Sequence, residues 1–393
     1  MYYRHMGIKS VIVNSNKLIV SIDFNDVSLR ERLKLVGFKW DRSGKYWYLL
    51  NDSEDYDLIV KSFDCLLLNH ETPAVYSSDV VSQFLLPLWP GGGVLIQDTA
   101  KGIFETYEEA SFQGCCDKLV IVCSGNTSKW DFLKDTDAVV ISSLKIKDEI
   151  ENCTGAFVVF DGVHRRNTKS FKSSCLLSLF SAFRVVLLDP YEINTIEDIQ
   201  NAVLLAEPSL SPSYDFFKNH ISVRKVSGKP YSGKSYKNTD EFVEKVSPIV
   251  RRNFRLKLPV PVPVKPKFRE KALFERAKMR FTGMKSVKTA ELALTDIRSA
   301  SKYFKEEVPE DYLTAKQEKA LEFAETGNFK IISGYDKEIG LSLPVNENAE
   351  KTLSLTVDPK CDFFLYSEGL EDGKVQKMFE TLKIISKFTN LSD

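Results

Sequence analysis

The chain has 393 residues, 54 Lys or Arg against 54 Asp or Glu, and 43% hydrophobic content. That length can hold two or three domains, each with its own core. Ordinary apolar content, no run near the roughly 18 to 20 residues of a membrane helix, and an opening (MYYRHMGIKS) without a signal-peptide core argue against membrane and secreted classes. A soluble intracellular protein is expected, cytoplasmic or nucleoid-associated.

In chain order, Lys17–Ser62 predicts a compact module. KLIVSIDF alternates as a strand, VSLRERLKLVG has helical spacing, GFKWDRSGKYWYLL is a hairpin turning at Ser43-Gly44, and SEDYDLIVKSF is a second helix. Trp40, Tyr46, Trp47 and Tyr48 lie among Lys39, Arg42 and Lys45. Alternation sends one set of rings into a core and leaves the other to stack on a base or cover a partner. A Thr/Pro/Ser-rich linker and the loop PLWPGGG follow.

From Val94 to Leu205, the apolar runs VLI, KLVIVCS, AVVISS, AFVVFD and RVVLLD alternate with helical segments. Strands apolar on both faces and separated by helices imply a parallel sheet covered on both sides, RecA-like or Rossmann-like. Beyond it, residues 218–288 carry 20 Lys or Arg against 5 acids, whereas 291–393 carry 13 against 20. A net +15 beside a net −7 is a focused electrostatic footprint, or a solvated basic linker. Within it, LPVPVPVKPKF must be extended. The end offers strands FKIISGY, TLSLTV and DFFLYSE and a final helix. The fold class expected is α/β: a RecA-like parallel sheet with helices on both faces, a small α+β N-terminal module and a mixed C-terminal region. The boundaries fall at 1–70, 80–217, 218–288 (basic linker and helix) and 289–393.

The seven cysteines form no CxxC pair and read as buried thiols; no metal site is expected. No serine has a GxSxG context or a plausible base, and His164 and His220 are the histidines closest to anything site-like.

Five segments of the parallel-sheet region resemble, in order, the first lobe of the Swi/Snf-type superfamily-two helicase ATPases. They are KLVIVCSGNTSKW, AVVISSL, AFVVFDGVHRRNTKSFKSSCLLSL, RVVLLDPYEINTIEDIQNAVLLAEPSL and VEKVSPIVRRNFRLKLP. GFKWDRSGKYWYLL is also similar to the HARP-type accessory module of annealing helicases. The compact architecture resembles virus- or phage-encoded members of the family. Residues 314–343 faintly resemble the opening of a second lobe, without an arginine-finger segment after it.

The resemblance implies a phosphate loop after Gly93, with the family's GLGKT falling on Ala100, Lys101, Gly102, Ile103 and Phe104. The phosphate-binding Lys is then Ile103 and the magnesium-binding Thr is Phe104, while Lys101 sits two positions early. The DEAH-type box becomes Asp161, Gly162, Val163 and His164, so the water-polarising Glu is Gly162. These departures imply a pseudo-ATPase with no cofactor, DNA or a DNA-bound protein complex as partner, and no membrane. Arg251 and Arg252 match the family's paired arginines and, with Arg255 and Lys257, join Lys39, Arg42, Lys45 and Trp47 as candidate nucleic-acid contacts. A non-enzymatic interaction subunit is the alternative, and an ATPase working through Lys101 a residual one.

Overall fold

A computed structural model describes residues 8–391 except 15, 65–72, 77, 98, 101, 125–126, 163–168, 226–231, 310, 327–328 and 333–348. By internal contacts the chain divides into one unit of Met1–Arg255 with Ile384–Asp393, and a second of Leu256–Lys383.

The first unit opens with an antiparallel sheet of β1 (Ile8–Asn14), β2 (Lys17–Ile22), β3 (Lys39–Asp41) and β4 (Tyr46–Leu50), in the order β1-β2-β4-β3. β1 is an addition to the sequence reading. The β3–β4 turn forms as expected because Asp41 Oδ1 accepts from Ser43 N and Gly44 N at 2.9 Å each and from Ser43 Oγ at 2.7 Å. Those bonds hold the Asp41 carboxyl down at about 2, the Gly44 amide contributing most. Between β2 and β3, Asp26 caps the helix Val27–Leu35 by accepting from Leu29 N at 2.8 Å.

The main sheet is parallel throughout, built from β5 (Gly92–Ile96), β6 (Leu119–Cys123), β7 (Val139–Ser142), β8 (Phe157–Asp161), β9 (Phe183–Leu188), and β12 (Val250–Arg252). Its order, β12-β5-β9-β8-β6-β7, buries every residue of β5, β6, β8 and β9. This is the parallel sheet covered on both faces that the continuously apolar runs implied. One layer of the core is Leu95, Ile103, Ile121, Trp130, Phe157 and Phe183 with their neighbours.

Arg32, only 3% exposed, fixes the N-terminal module to this lobe. Its guanidinium donates to Ser178 O at 3.4 Å, Leu205 O at 3.2 Å and Ala206 O at 2.7 Å, and lies 3.9 Å from Glu207 Oε2. Those carbonyls belong to the last turns of the helices Lys169–Phe180 and Ile196–Ala206, whose dipoles favour a cation there. Buried Arg184 donates to Ser178 O as well, and to Pro90 O and Gly91 O.

The 218–288 segment differs from the expected linker. Its first part is a hairpin, β10 (Ile221–Lys225) with β11 (Ser232–Tyr236), followed by the helix Thr239–Val246 and by β12, which joins the main sheet. The proline run is extended as expected, but as β13 (Val260–Val264) of the second unit's sheet. There it pairs in parallel with β16 (Phe363–Ser367), beyond which lie β15 (Lys351–Ser354) and β14 (Phe329–Ile332). Pro261 and Pro263 are tolerated because β13 is an edge strand, where alternate N–H groups have no partner to serve. The helices Phe268–Arg280 and Gly283–Thr295 pack through Leu273, Phe274, Ala277 and Ala293.

Candidate nucleotide site and nucleic-acid interface

In an open parallel sheet, ligands gather beyond the carboxyl ends of the strands. Here the ends of β5, β6 and β8 meet there. Gly93, the start of the expected phosphate loop, lies inside β5 and is buried. After β5, fully buried Gln97 donates to Thr99 O at 2.8 Å and accepts from Asn253 Nδ2 at 3.0 Å. Gly102, with φ +82°, precedes the helix Ile103–Phe112, and a Cβ there would meet Val81 at 2.6 Å and Asp79 Oδ1 at 2.8 Å. Ile103 is fully buried. Phe104 is half-buried, its ring 6.1 Å from Tyr107 and 6.2 Å from Phe132. Both side chains thus join the lobe's apolar packing. Thr106, the next hydroxyl along that helix, is itself buried and donates to Gly102 O at 2.6 Å. Lys101 and His164 lie outside the described residues.

At the end of β8, Asp161 is 7% exposed and both carboxylate oxygens are engaged. Lys129 Nζ stands 2.8 Å from Oδ1, and Trp130 Nε1 donates to Oδ2 at 2.8 Å. Burial first, and then the Asp161 charge, push the neighbouring Cys123 thiol up to about 12. Each oxygen of Asp161 thus serves a donor of the protein itself.

Gly162 has φ +72°, and a Cβ on it would lie 2.5 Å from Ser124 Oγ, the hydroxyl that donates to Gly162 O at 2.6 Å. A glutamate here, where the resemblance expects one, would have to take that left-handed backbone and displace the Ser124 hydroxyl. Lys129 and Trp130 were missed as functional residues in the sequence. The visible signal was a Lys-Trp pair ending the segment that precedes the Asp strand, but nothing in the pattern aims it at Asp161. After β9, Asp189 Oδ1 accepts from Tyr191 N at 2.8 Å and closes a local turn. Among the described residues, no group of three His, Cys, Asp or Glu could hold a metal ion.

The eight candidate nucleic-acid residues divide by place. Trp40 and Trp47 face each other across β3–β4, with ring centroids 5.3 Å apart. Both line a groove of about 890 Å³ with Arg42 and Lys45. Lys39 pairs with Tyr48 and so takes the opposite sheet face. On that face Lys17 Nζ stands 5.1 Å over the Tyr46 ring. Arg251 is half-buried, donating to Ser247 O and Val250 O, with its guanidinium 5.3 Å over Phe84. Arg252 donates to Phe388 O at 2.9 Å and Phe254 O at 3.0 Å. Both guanidinium groups thus serve main-chain carbonyls. Arg255 is exposed, and exposed Lys257 pairs with Asp362.

No protein-family model matches the chain, and no curated protein does. Among solved structures, the Sulfolobus solfataricus SWI2/SNF2 ATPase core in complex with dsDNA aligns at TM-score 0.37 and 14% identity, covering 77% of this chain and 80% of that one. The Sulfolobus solfataricus SWI2/SNF2 ATPase core domain aligns at TM-score 0.35 and 13% identity, over 82% and 86%. The pCW3 conjugation coupling protein TcpA monomer form with ATPγS aligns at 0.21 and 8%, over 50% and 75%. The class of the chain is α/β, with a six-stranded parallel sheet flanked by helices and an antiparallel N-terminal sheet. No helix among the described residues is long and apolar enough to cross a membrane.

Proposed function

We propose that this chain is a catalytically silent, helicase-like protein of Swi/Snf type that associates with nucleic acid, DNA above all, without hydrolysing ATP. The observation that carries the reading is Asp161, sealed between Lys129 and Trp130. A carboxylate whose two oxygens already serve Lys129 and Trp130 is ill placed to organise magnesium and water. Ile103 and Phe104, standing where the resemblance puts a Lys and a Thr, and Gly162, where it puts a Glu, support the same conclusion. Losing charge neutralisation, metal ligation and water activation together removes several kcal/mol of transition-state stabilisation at each step.

What remains is positional. Cationic side chains hold phosphates and release counter-ions, and no hydrolytic stroke follows. The N-terminal sheet acts as the accessory, HARP-like module, and Arg32 fixes its place on the lobe. Phosphate release by the full-length chain, with and without DNA, should stay at background. DNA titrated at two salt concentrations should bind more weakly at the higher one. DNA-stimulated turnover of even about one per second, abolished by Lys101→Ala, would overturn the reading.

A second reading, an interaction subunit of a larger assembly, is favoured by one feature. Edge strand β7 exposes Val139 and Val140, and Leu144 beyond it is 77% exposed. Salt-independent or absent DNA binding would favour that reading.

A further inference from the structure

We propose that the groove between the helix Val27–Leu35 and the open end of the N-terminal sheet takes the unpaired bases of a single strand. It deepens the nucleic-acid reading above and rests on it.

The groove's volume, about 890 Å³, lies within the roughly 300 to 1,000 Å³ of clefts that enclose small organic ligands. Its lining mixes two chemistries. Aromatic surface comes from Phe24, 66% exposed, and from half-buried Trp40, with Trp47 behind it. Cationic surface comes from Lys9, Arg30, Lys34, Arg42 and Lys45. Lys9 pairs with Asp23 and Lys34 with Glu31, but Arg42 and Lys45 have no ion pair among the described residues. Asp41, the nearest acid in sequence, is occupied by the turn amides.

Two buried donors complete the site. Trp47 Nε1 and Arg30 Nε have no hydrogen-bond partner among the described residues, although buried N–H groups are nearly always paired. Trp47 is 4% exposed and its ring centroid lies 5.3 Å from that of Trp40, so its indole N–H is a donor held in place. Arg30 is held with its guanidinium 5.0 Å over the Phe24 ring. Ring faces, fixed donors and free cations in one cleft match a ligand carrying flat rings, ring acceptors and phosphates together. A single strand offers all three, since its bases are free to stack and its phosphates free to pair. A duplex offers phosphates only, with its base faces already stacked. An acidic peptide offers charge but nothing for the rings.

The test uses the full-length chain. Three probes are titrated at two salt concentrations: an oligothymidylate of about 12 residues, within the roughly 4 to 16 nucleotides of known single-strand sites, a blunt duplex, and polyglutamate. Tryptophan fluorescence reports on the groove, because Trp89 and Trp130 are buried in the lobe at 5% and 2%. The oligothymidylate should bind more tightly than the duplex and quench the fluorescence. Trp40→Ala should weaken it on the order of ten-fold, as expected for one lost stacking contact, and weaken the duplex less. Trp40→Phe, which keeps a ring, should retain most of the affinity. Arg42→Glu with Lys45→Glu, both exposed, should weaken both nucleic acids without touching the core, and circular dichroism melts check the fold of every variant. Equal binding of single strand and duplex, unaffected by any of these variants, would overturn the groove but leave nucleic-acid association standing. Polyglutamate competing as well as the oligothymidylate, with Trp40→Ala silent, would overturn it in favour of an acidic peptide. Binding of neither nucleic acid would remove the function proposed above and this inference with it.

Discussion

Asp161 and Gly162, adjacent at the end of β8, are held by different contacts: Asp161 by Lys129 and Trp130, Gly162 by Ser124. Asp161→Ala would leave the buried Trp130 N–H without its acceptor and the Lys129 ammonium, whose side chain is 27% exposed, without its counter-ion. Losing the partner of a buried donor costs about 1 to 3 kcal/mol, and chemical denaturation should register most of that. An active-site carboxylate that served only metal would show little change in stability. Placing a glutamate where the resemblance expects one, with Gly162→Glu, should not create an ATPase. The substitution forces an L residue to φ +72° and displaces the Ser124 hydroxyl from its bond to Gly162 O. A destabilisation of about 1 to 3 kcal/mol is expected, with phosphate release still at background. Appearance of turnover in that single variant would show that the site is open after all.

At the scale of elements, the packing of the first module against the parallel sheet depends on Arg32, Arg184 and Glu207. Burial acts to raise the Glu207 pKa, but the Arg32 charge, helped by Ser209 and Ser28 and by Arg184, outweighs it and holds the carboxyl below its usual 4.5. A depressed carboxylate contributes stability that is complete above its unfolded value and is lost as pH falls through the folded one. Acid unfolding of the wild type should therefore steepen below about pH 4.5, and Glu207→Gln should flatten that limb while lowering stability at neutral pH. An unchanged acid limb in the variant would separate Glu207 from the effect. Arg252 tests a second joint between elements. It bonds Phe254 O and Phe388 O, and Leu391 N donates to Arg252 O at 2.8 Å, so the chain's last described residues are tied to β12. Arg252→Ala should cost about 1 to 3 kcal/mol, the penalty for leaving buried carbonyls unpaired, and leave the salt dependence of DNA binding unaltered. A flatter salt slope would instead return Arg252 to the phosphate contacts that its sequence context suggested.

For the molecule as a whole, the two units have separate cores, and the first is closed by residues from both ends of the chain. Phe388 is 1% exposed, so deleting 384–393 should destabilise the first unit even though the deletion spares every strand of its main sheet. A fall of about 3 to 5 kcal/mol, typical of removing one buried aromatic side chain, should appear as an earlier loss of near-ultraviolet tryptophan signal. The thiols report on the same cores. Burial pushes Cys116, Cys123 and Cys361 up to about 12 and Cys153 to about 11. Because the thiolate is the reactive form, the six described cysteines should resist alkylation at neutral pH and react together on unfolding.

By itself the sequence determined the parallel sheet, because β5, β6, β8 and β9 are apolar at every position and such strands are stable only when both faces are covered. It also determined the β3–β4 turn, where Asp41, Ser43 and Gly44 act over two or three residues. Ile103, Phe104 and Gly162 could be set against the resembled motifs from the sequence alone, because an aligned position is read without coordinates. Only the tertiary structure decided what Asp161 does, since the residues that occupy it, Lys129 and Trp130, are some thirty positions away and their aim depends on β6 lying beside β8. The contacts of the basic stretch were not legible for the same reason. Charge along a chain is additive and local, whereas the main-chain carbonyls that claim Arg251 and Arg252, and the edge position that makes β13 a strand, exist only once distant segments meet.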